Sequence, residues 1–446
     1  MRIAVLMAGG WLLGALTALA QPPAVSLEAE TDRKYYREHA RSEVHVEARV
    51  TAASGGIPVT PAVRNIALVL DRSGSMAGEP IAEMRRAVAK AIGVLADEDF
   101  VAVVLFGSEV ETLIESQRRG QIRDLEARLA QLEPAGGASL YDALNQAAAQ
   151  LRRHTGPATI DHLILLTDGP PTKGPRESED FTKLAEVFGR EGIVVSALGL
   201  GAEFNEDMLS AMARAAHGNF RYVATPGKIA AALEAELKPR PAVLGREVVL
   251  TVEFKRLSSA LRSYGWRAPT MGETSMTFRF PRLLSDRPLA VLVSSELEGF
   301  DARHDLPDFA TVRVRWKAVE SEEERELTRV IPVNFSSDTI DLRESLNVRS
   351  ARTGAVALIR DGLQKAIEAL DKNDARRALR MLRTARTEAR DLNYDFDDAQ
   401  INETVRLLDG YLAEVQRPGA TIERKVLRSG LLNLFDPPST LVEAKR

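Results

Sequence analysis

Residues 66–75 read Ile-Ala-Leu-Val-Leu-Asp-Arg-Ser-Gly-Ser. The unbroken apolar run Ile66–Leu70 suits a strand covered on both faces, as in a parallel sheet. The polar residues after it put an aspartate and two hydroxyls at alternate positions, Asp71, Ser73 and Ser75, just before a helical pattern begins. Such a loop can aim three oxygens at one point, and Gly74 is expected to let the backbone turn between them. Ligands of doubly wound sheets bind at the carboxyl ends of strands, near the switch in strand order. Hard cations such as Mg2+ take oxygen ligands in a near-octahedral array. Helix capping by Asp71 and the serines is the alternative for this loop taken alone.

Working outward, further apolar runs occur at Val101–Phe106, Leu163–Leu166 and Ile193–Leu198. Helical patterns fall between and after them, at Ile81–Leu95, Ile122–Leu132, Tyr141–Leu151, Phe181–Phe188 and Met208–Ala216. Strand and helix alternate, which predicts a doubly wound, mostly parallel α/β domain over residues 63–237. Thr167-Asp168-Gly169 closes one of the buried strands and offers a second carboxylate at the same sheet edge. A third loop, Gly136-Gly137-Ala138-Ser139, precedes the helix that starts near Tyr141.

Both flanks of this domain change period. In residues 24–60, Val44, Val46, Ala48 and Val50 alternate with His45, Glu47 and Arg49, the pattern of a half-buried strand. Residues 243–340 alternate again: Met276, Phe278 and Phe280 share one face, and Val312, Val314 and Trp316 share another. The expected whole is an antiparallel β-sandwich completed by residues 24–60, with the α/β domain inserted in it. The acidic run Glu320–Glu326 reads as a solvated hairpin tip. Residues 345–446 form a C-terminal helical region, with Val356, Ile359, Leu363, Ile367 and Leu370 at helical spacing.

Three motifs in order carry a family resemblance: Leu68–Met76 (LVLDRSGSM), Leu140–Leu144 (LYDAL) after paired glycines, and Leu165–Gly169 (LLTDG). Together they resemble a von Willebrand factor type A domain over about residues 64–237. The wider layout resembles bacterial exported proteins named after calcium-activated chloride channels, and more distantly inter-alpha-trypsin inhibitor heavy chains. The resemblance implies a metal-ion-dependent adhesion site formed by Asp71, Ser73, Ser75 and Asp168. It also implies a threonine after the paired glycines, where this chain has Ala138; Ser139, one place on, is the candidate substitute. Mg2+ is the expected ion, with Mn2+ or Ca2+ as alternatives. The expected partner is another protein that presents an acidic residue.

The chain has 446 residues, 45% hydrophobic and 27% charged, with a formal net charge of -4. That balance points to neither nucleic acid nor an acidic membrane surface. There is no cysteine, so any metal is held by oxygen or imidazole. Residues 1–20, with Arg2, an apolar stretch and Ala18-Leu19-Ala20, read as a cleaved secretory signal peptide. The mature chain is expected to be periplasmic or secreted, with no integral membrane segment.

Other motif-like stretches fail at required positions. Gly199-Leu200-Gly201 starts like a dinucleotide fingerprint, but Phe204 stands where its last glycine belongs. Gly169–Gly174 has phosphate-loop spacing, but Pro175 replaces the lysine. Asp391, Asn393 and Asp395 open like a calcium loop, but Phe396 replaces its glycine and Asn402 its closing glutamate. His162 reads as a packing or hydrogen-bonding residue. The expected function is therefore a metal-dependent protein-binding module, not an enzyme. Two alternatives stand beside it: a Mg2+-dependent phosphotransferase or phosphatase using Asp71, although Ser73 stands where its second acid would be, and a structural protein with a degenerate site.

Overall fold

The computed structural model describes residues 24–53, 61–237, 241–255, 261–264, 269–285, 287–298, 308–394 and 397–416. The segment read as a signal peptide lies outside them. Three strands come first: β1 (Ala24–Thr31), β2 (Tyr35–Arg37) and β3 (Arg41–Ala53).

The α/β domain then runs β4 (Val63–Asp71), α1 (Glu79–Gly93), β5 (Phe100–Phe106), β6 (Val110–Arg118), α2 (Leu125–Ala130), α3 (Leu140–Arg152), β7 (Thr159–Thr167), α4 (Ser178–Arg190), β8 (Val194–Leu200), α5 (Glu206–Ala215), β9 (His217–Val223) and α6 (Ile229–Leu237). Its sheet order is β6-β5-β4-β7-β8-β9. All neighbours are parallel except β5 and β6. The chain leaves β4 toward β5 and later returns on the other side as β7. The switch point therefore lies between the carboxyl ends of β4 and β7, where a crevice opens in this fold.

Alternate residues of β4 feed two cores. Ala67 and Val69 pack with α3, α4 and α5, through Leu144, Phe181 and Met208. Ile66, Leu68 and Leu70 pack with α1 and α6, through Met84, Val88 and Leu233. Helices cover both faces, which is why these strands read as continuous apolar runs instead of alternating.

Three elements of this domain escape the sequence pattern. Strand β6 carries Glu111, Glu115 and Arg118 and pairs with β5 through two register shifts, so its period is broken. Strand β9 and helix α6 were likewise not anticipated. Helix α2 is shorter than the Ile122–Leu132 pattern. At the supposed dinucleotide turn, Phe204 is buried, and its ring would lie 2.5 Å from a Cβ placed on Gly199. That glycine makes room for an aromatic ring, not for a pyrophosphate.

The remaining strands are β10 (Val243–Phe254), β11 (Arg262–Ser263), β12 (Thr270–Met271), β13 (Ser275–Leu284), β14 (Leu289–Glu298), β15 (Asp308–Ala318), β16 (Glu324–Pro332) and β17 (Asn334–Ser336). Two sheets form, in the orders β1-β3-β14-β11 and β12-β13-β10-β15-β16, and β17 pairs with β2. Val46, Ala48 and Val50 of the first sheet share one core with Leu250, Phe278 and Val314 of the second. Strand β3 lies between β1 and β14, so the chain before the α/β domain pairs with the chain after it. Phe278 and Val314 both face Leu250 across β10. The two alternating sets read from the sequence as separate faces are thus one face of one sheet.

Helices α7 (Thr339–Glu344), α8 (Val348–Asp371), α9 (Ala375–Asn393) and α10 (Ala399–Gln416) follow. Ile359, Leu363 and Ile367 meet Ala378, Leu382, Val405 and Leu408 in their own core. Of the stretch that opens like a calcium loop, residues 395–396 lie outside the described residues, and Asn393 is engaged locally. Its side chain accepts the Asp398 N–H at 2.7 Å and donates to Asn402 at 2.9 Å. No helix among the described residues is long and apolar enough to cross a membrane.

Candidate metal centre

Asp71 is the last residue of β4 and is fully buried. One carboxylate oxygen accepts the Ser73 N–H at 2.8 Å, and the other accepts the Thr167 hydroxyl at 2.6 Å. Ser73 is also buried, whereas Ser75 is exposed, and their hydroxyls lie 3.1 Å apart. The Ser75 hydroxyl donates to Asp168 at 2.8 Å, although the two residues are 93 positions apart in sequence. Asp168 follows β7 directly and is partly exposed. Parallel pairing of β4 with β7 brings the two loops to one edge. Asp71, Ser73, Ser75 and Asp168 thus form one linked set of oxygens.

The loop turns differently from the sequence expectation. Gly74 opens a short 3-10 turn, and the left-handed residue is Gly78, with φ 85°. Asp71 bonds the backbone of its own loop, but it caps no long helix, since α1 starts only at Glu79.

Burial pushes the Asp71 carboxyl above its ordinary range, and the nearby Asp168 charge pushes the same way; the Ser73 and Thr167 bonds oppose both. Burial likewise raises Asp168, against the Ser75 hydrogen bond. Two carboxyls that resist ionisation side by side are suited to a cation. Among the described residues no group of three or more His, Asp or Glu side chains could hold a metal, so any ion here depends on the serine hydroxyls.

The third loop is fixed by its backbone. Ala138 is buried; its N–H donates to the Thr172 hydroxyl at 2.7 Å, and its carbonyl accepts the N–H groups of Thr172 and Lys173. The Ser139 N–H donates to the Gly107 carbonyl at 3.0 Å. Its hydroxyl donates to the Ser108 carbonyl at 3.3 Å, and not to any of the four oxygen groups. Lys173 also reaches the Ser108 carbonyl, at 2.9 Å. Sequence reading quoted Thr167 without giving it a role, and passed over Thr172, Ser108 and Lys173 altogether. For Thr167, Thr172 and Lys173 the one signal is position beside Asp168; Ser108, in the turn between β5 and β6, has none.

His162 lies elsewhere in the sheet. Its Nε2 is 2.9 Å from the Ser196 hydroxyl, which donates to Glu236 at 2.7 Å. Burial lowers its pKa to about 4. It is a hydrogen-bonding residue of the core, tying β7 and β8 to α6.

Residues 64–222 match the family model described as the von Willebrand factor type A domain. The chain therefore carries a von Willebrand factor type A domain, with further β and helical parts around it. An uncharacterized protein of Synechocystis sp. is 30% identical over 167 residues, 37% of this chain and 38% of that protein. Inter-alpha-trypsin inhibitor heavy chain H2 of Homo sapiens is 26% identical over 166 residues, 35% of this chain and 18% of that one. The matches thus span well under half of these relatives. Two solved structures share the fold over nearly their whole length. A von Willebrand factor type A protein from Catenulispora acidiphila has a TM-score of 0.68 at 18% identity, covering 94% of this chain and 98% of that one. A paralog of ArnB from Sulfolobus acidocaldarius has a TM-score of 0.62 at 17% identity, covering 92% and 98%.

Proposed function

We propose that this chain is an exported protein-binding module that holds a divalent cation, Mg2+ first, between Asp71, Ser73, Ser75 and Asp168. The observation that carries the reading is the linked set of two carboxylates and two hydroxyls at the switch point of the sheet. The donor set is all oxygen, which fits a hard cation. Bound there, the ion would supply an electrophilic centre for a partner's Asp or Glu carboxylate. The chain's own part is to present the oxygens and, through the loops pinned at Ala138, Thr172 and Arg72, whose N–H donates to the Phe106 carbonyl at 2.8 Å, to shape the rim. Ser139 would join only by turning its hydroxyl away from Ser108.

The phosphotransferase alternative requires Asp71 to attack phosphorus. The Asp71 side chain is fully buried, and the residue two places on is Ser73, where such an aspartyl nucleophile needs its second acid, so the anchoring role is the better fit.

Two measurements test this reading. Capture of an envelope protein by the immobilised chain should occur with Mg2+ and fail both with EDTA and with Asp168→Ala; a capture pattern unchanged in all three would reject metal-dependent binding. The mass of the mature chain should place its N-terminus at Gln21, which the small-residue pattern Ala18-Leu19-Ala20 motivates. Retention of residues 1–20 in a membrane fraction would reject cleavage.

A further inference from the structure

Helix α9 carries six arginines, Arg376, Arg377, Arg380, Arg383, Arg386 and Arg390, no lysine, and only two acidic residues, Glu388 and Asp391, both near its end. Arg386 and Arg390 are used inside the bundle, gripping Asp409 of α10 at 3.0 and 2.9 Å. Arg376, Arg380 and Arg383 are exposed and make no ion pair among the described residues. Their spacing of four and then three residues sets them on one helix face. That face lies opposite Ala378, Leu382, Ala385 and Ala389, which are buried against the neighbouring helices.

Two features make this more than a solvated surface. Positive charge in the first turn of a helix opposes the macrodipole, so Arg376 sits where it weakens its own element. Asp374 at the N-cap, accepting the Arg377 N–H at 2.9 Å, offsets this in part. The chain as a whole is acidic, with a net charge of -4, so the stripe is a local concentration and not a general excess.

We propose that the Arg376–Arg380–Arg383 stripe is a docking surface for an acidic polypeptide segment, separate from the metal centre. The guanidinium fork pairs with carboxylates in a bidentate way that lysine cannot reproduce. Successive arginines on one face lie about 5–6 Å apart, a step that acidic residues at the same spacing on a partner helix would match. A membrane surface is the poorer fit, because interfacial helices insert an apolar face beside the basic one, and the apolar face of α9 is consumed by the bundle.

The test uses the full mature chain and a fluorescein-labelled oligoglutamate peptide at low salt. Binding should weaken as salt rises and should be indifferent to EDTA. The triple variant Arg376→Glu, Arg380→Glu, Arg383→Glu should lose about tenfold or more in affinity, as expected when charge-assisted pairs become repulsive. Arg376→Glu suits the dipole of the first turn and all three positions are exposed, so the variant should fold, which far-UV circular dichroism checks; the corresponding triple glutamine variant should fall between it and the parent. The proposal is overturned if the parent does not bind the peptide, if the variants bind it equally, or if EDTA abolishes binding, which would move the ligand to the metal centre. It is also overturned if phosphatidylglycerol vesicles or an oligothymidylate are bound more tightly than the peptide.

Discussion

Arg282→Ala is expected to lower the unfolding free energy by about 3–5 kcal/mol, the usual consequence of leaving one buried charge without its partner. Arg282 belongs to β13 of the sandwich, and Asp161 to β7 of the A domain. Their side chains meet at 3.0 Å with 10% and 0% exposure. Arg282 also donates to the Gly192 carbonyl at 2.8 Å, so its loss leaves two acceptors unserved. Asn65 still donates to Asp161 at 2.7 Å, but it carries no charge. Burial lowers the pKa of Arg282, and Asp161 opposes that shift. Replacing both partners, as in Arg282→Met with Asp161→Asn, should recover much of the loss, because no isolated charge then stays buried. Exposed pairs such as Lys183–Glu179 should by comparison contribute little, because solvent screens them. Urea unfolding of the full chain measures all three. A loss below about 1 kcal/mol for Arg282→Ala would mean that solvent reaches Asp161 and that this contact does not couple the two parts.

Mg2+ is expected to stabilise the chain by about 2.7 kcal/mol at a hundredfold excess over Kd, and Asp71→Ala is expected to abolish that gain. Thermal unfolding with and without the ion measures it, and an equal response in both proteins would place the effect elsewhere. The pH dependence has a definite sign. Asp71 and Asp168 have folded pKa values raised above 3.8, chiefly by burial. Each therefore binds its proton more tightly folded than unfolded. In the metal-free chain they cost stability as pH rises through a window that opens near 3.8 and ends above the raised values. The ion needs both groups ionised, so its stabilisation should be full at neutral pH and shrink as pH falls through that window. Ser139→Ala should leave the gain unchanged while its hydroxyl serves Ser108, and should reduce it if the hydroxyl turns to the ion.

How much of this could be read in advance depended on whether the cause was local. Ile66–Leu70 declares a strand covered on both faces because five consecutive apolar side chains suit no exposed one. Asp71, Ser73 and Ser75 are legible for the same reason: alternate positions on one short loop converge whatever the rest of the chain does. Asp168 could be added because it ends another buried run, and parallel strands in such a domain finish at one edge. Strand β6 stayed hidden because an edge strand with Glu111, Glu115 and Arg118 buries little and slips register twice. Only the tertiary structure decided that β3 pairs with β14 across the A domain, since register between distant segments follows from the shared core they close. It alone decided that Arg282 answers Asp161, because a buried charge finds its partner through packing and not through spacing. The direction of the Ser139 hydroxyl was beyond sequence for the same reason. A side chain one residue from an expected position turns toward whichever acceptor the surrounding backbone supplies, and here that is the Ser108 carbonyl.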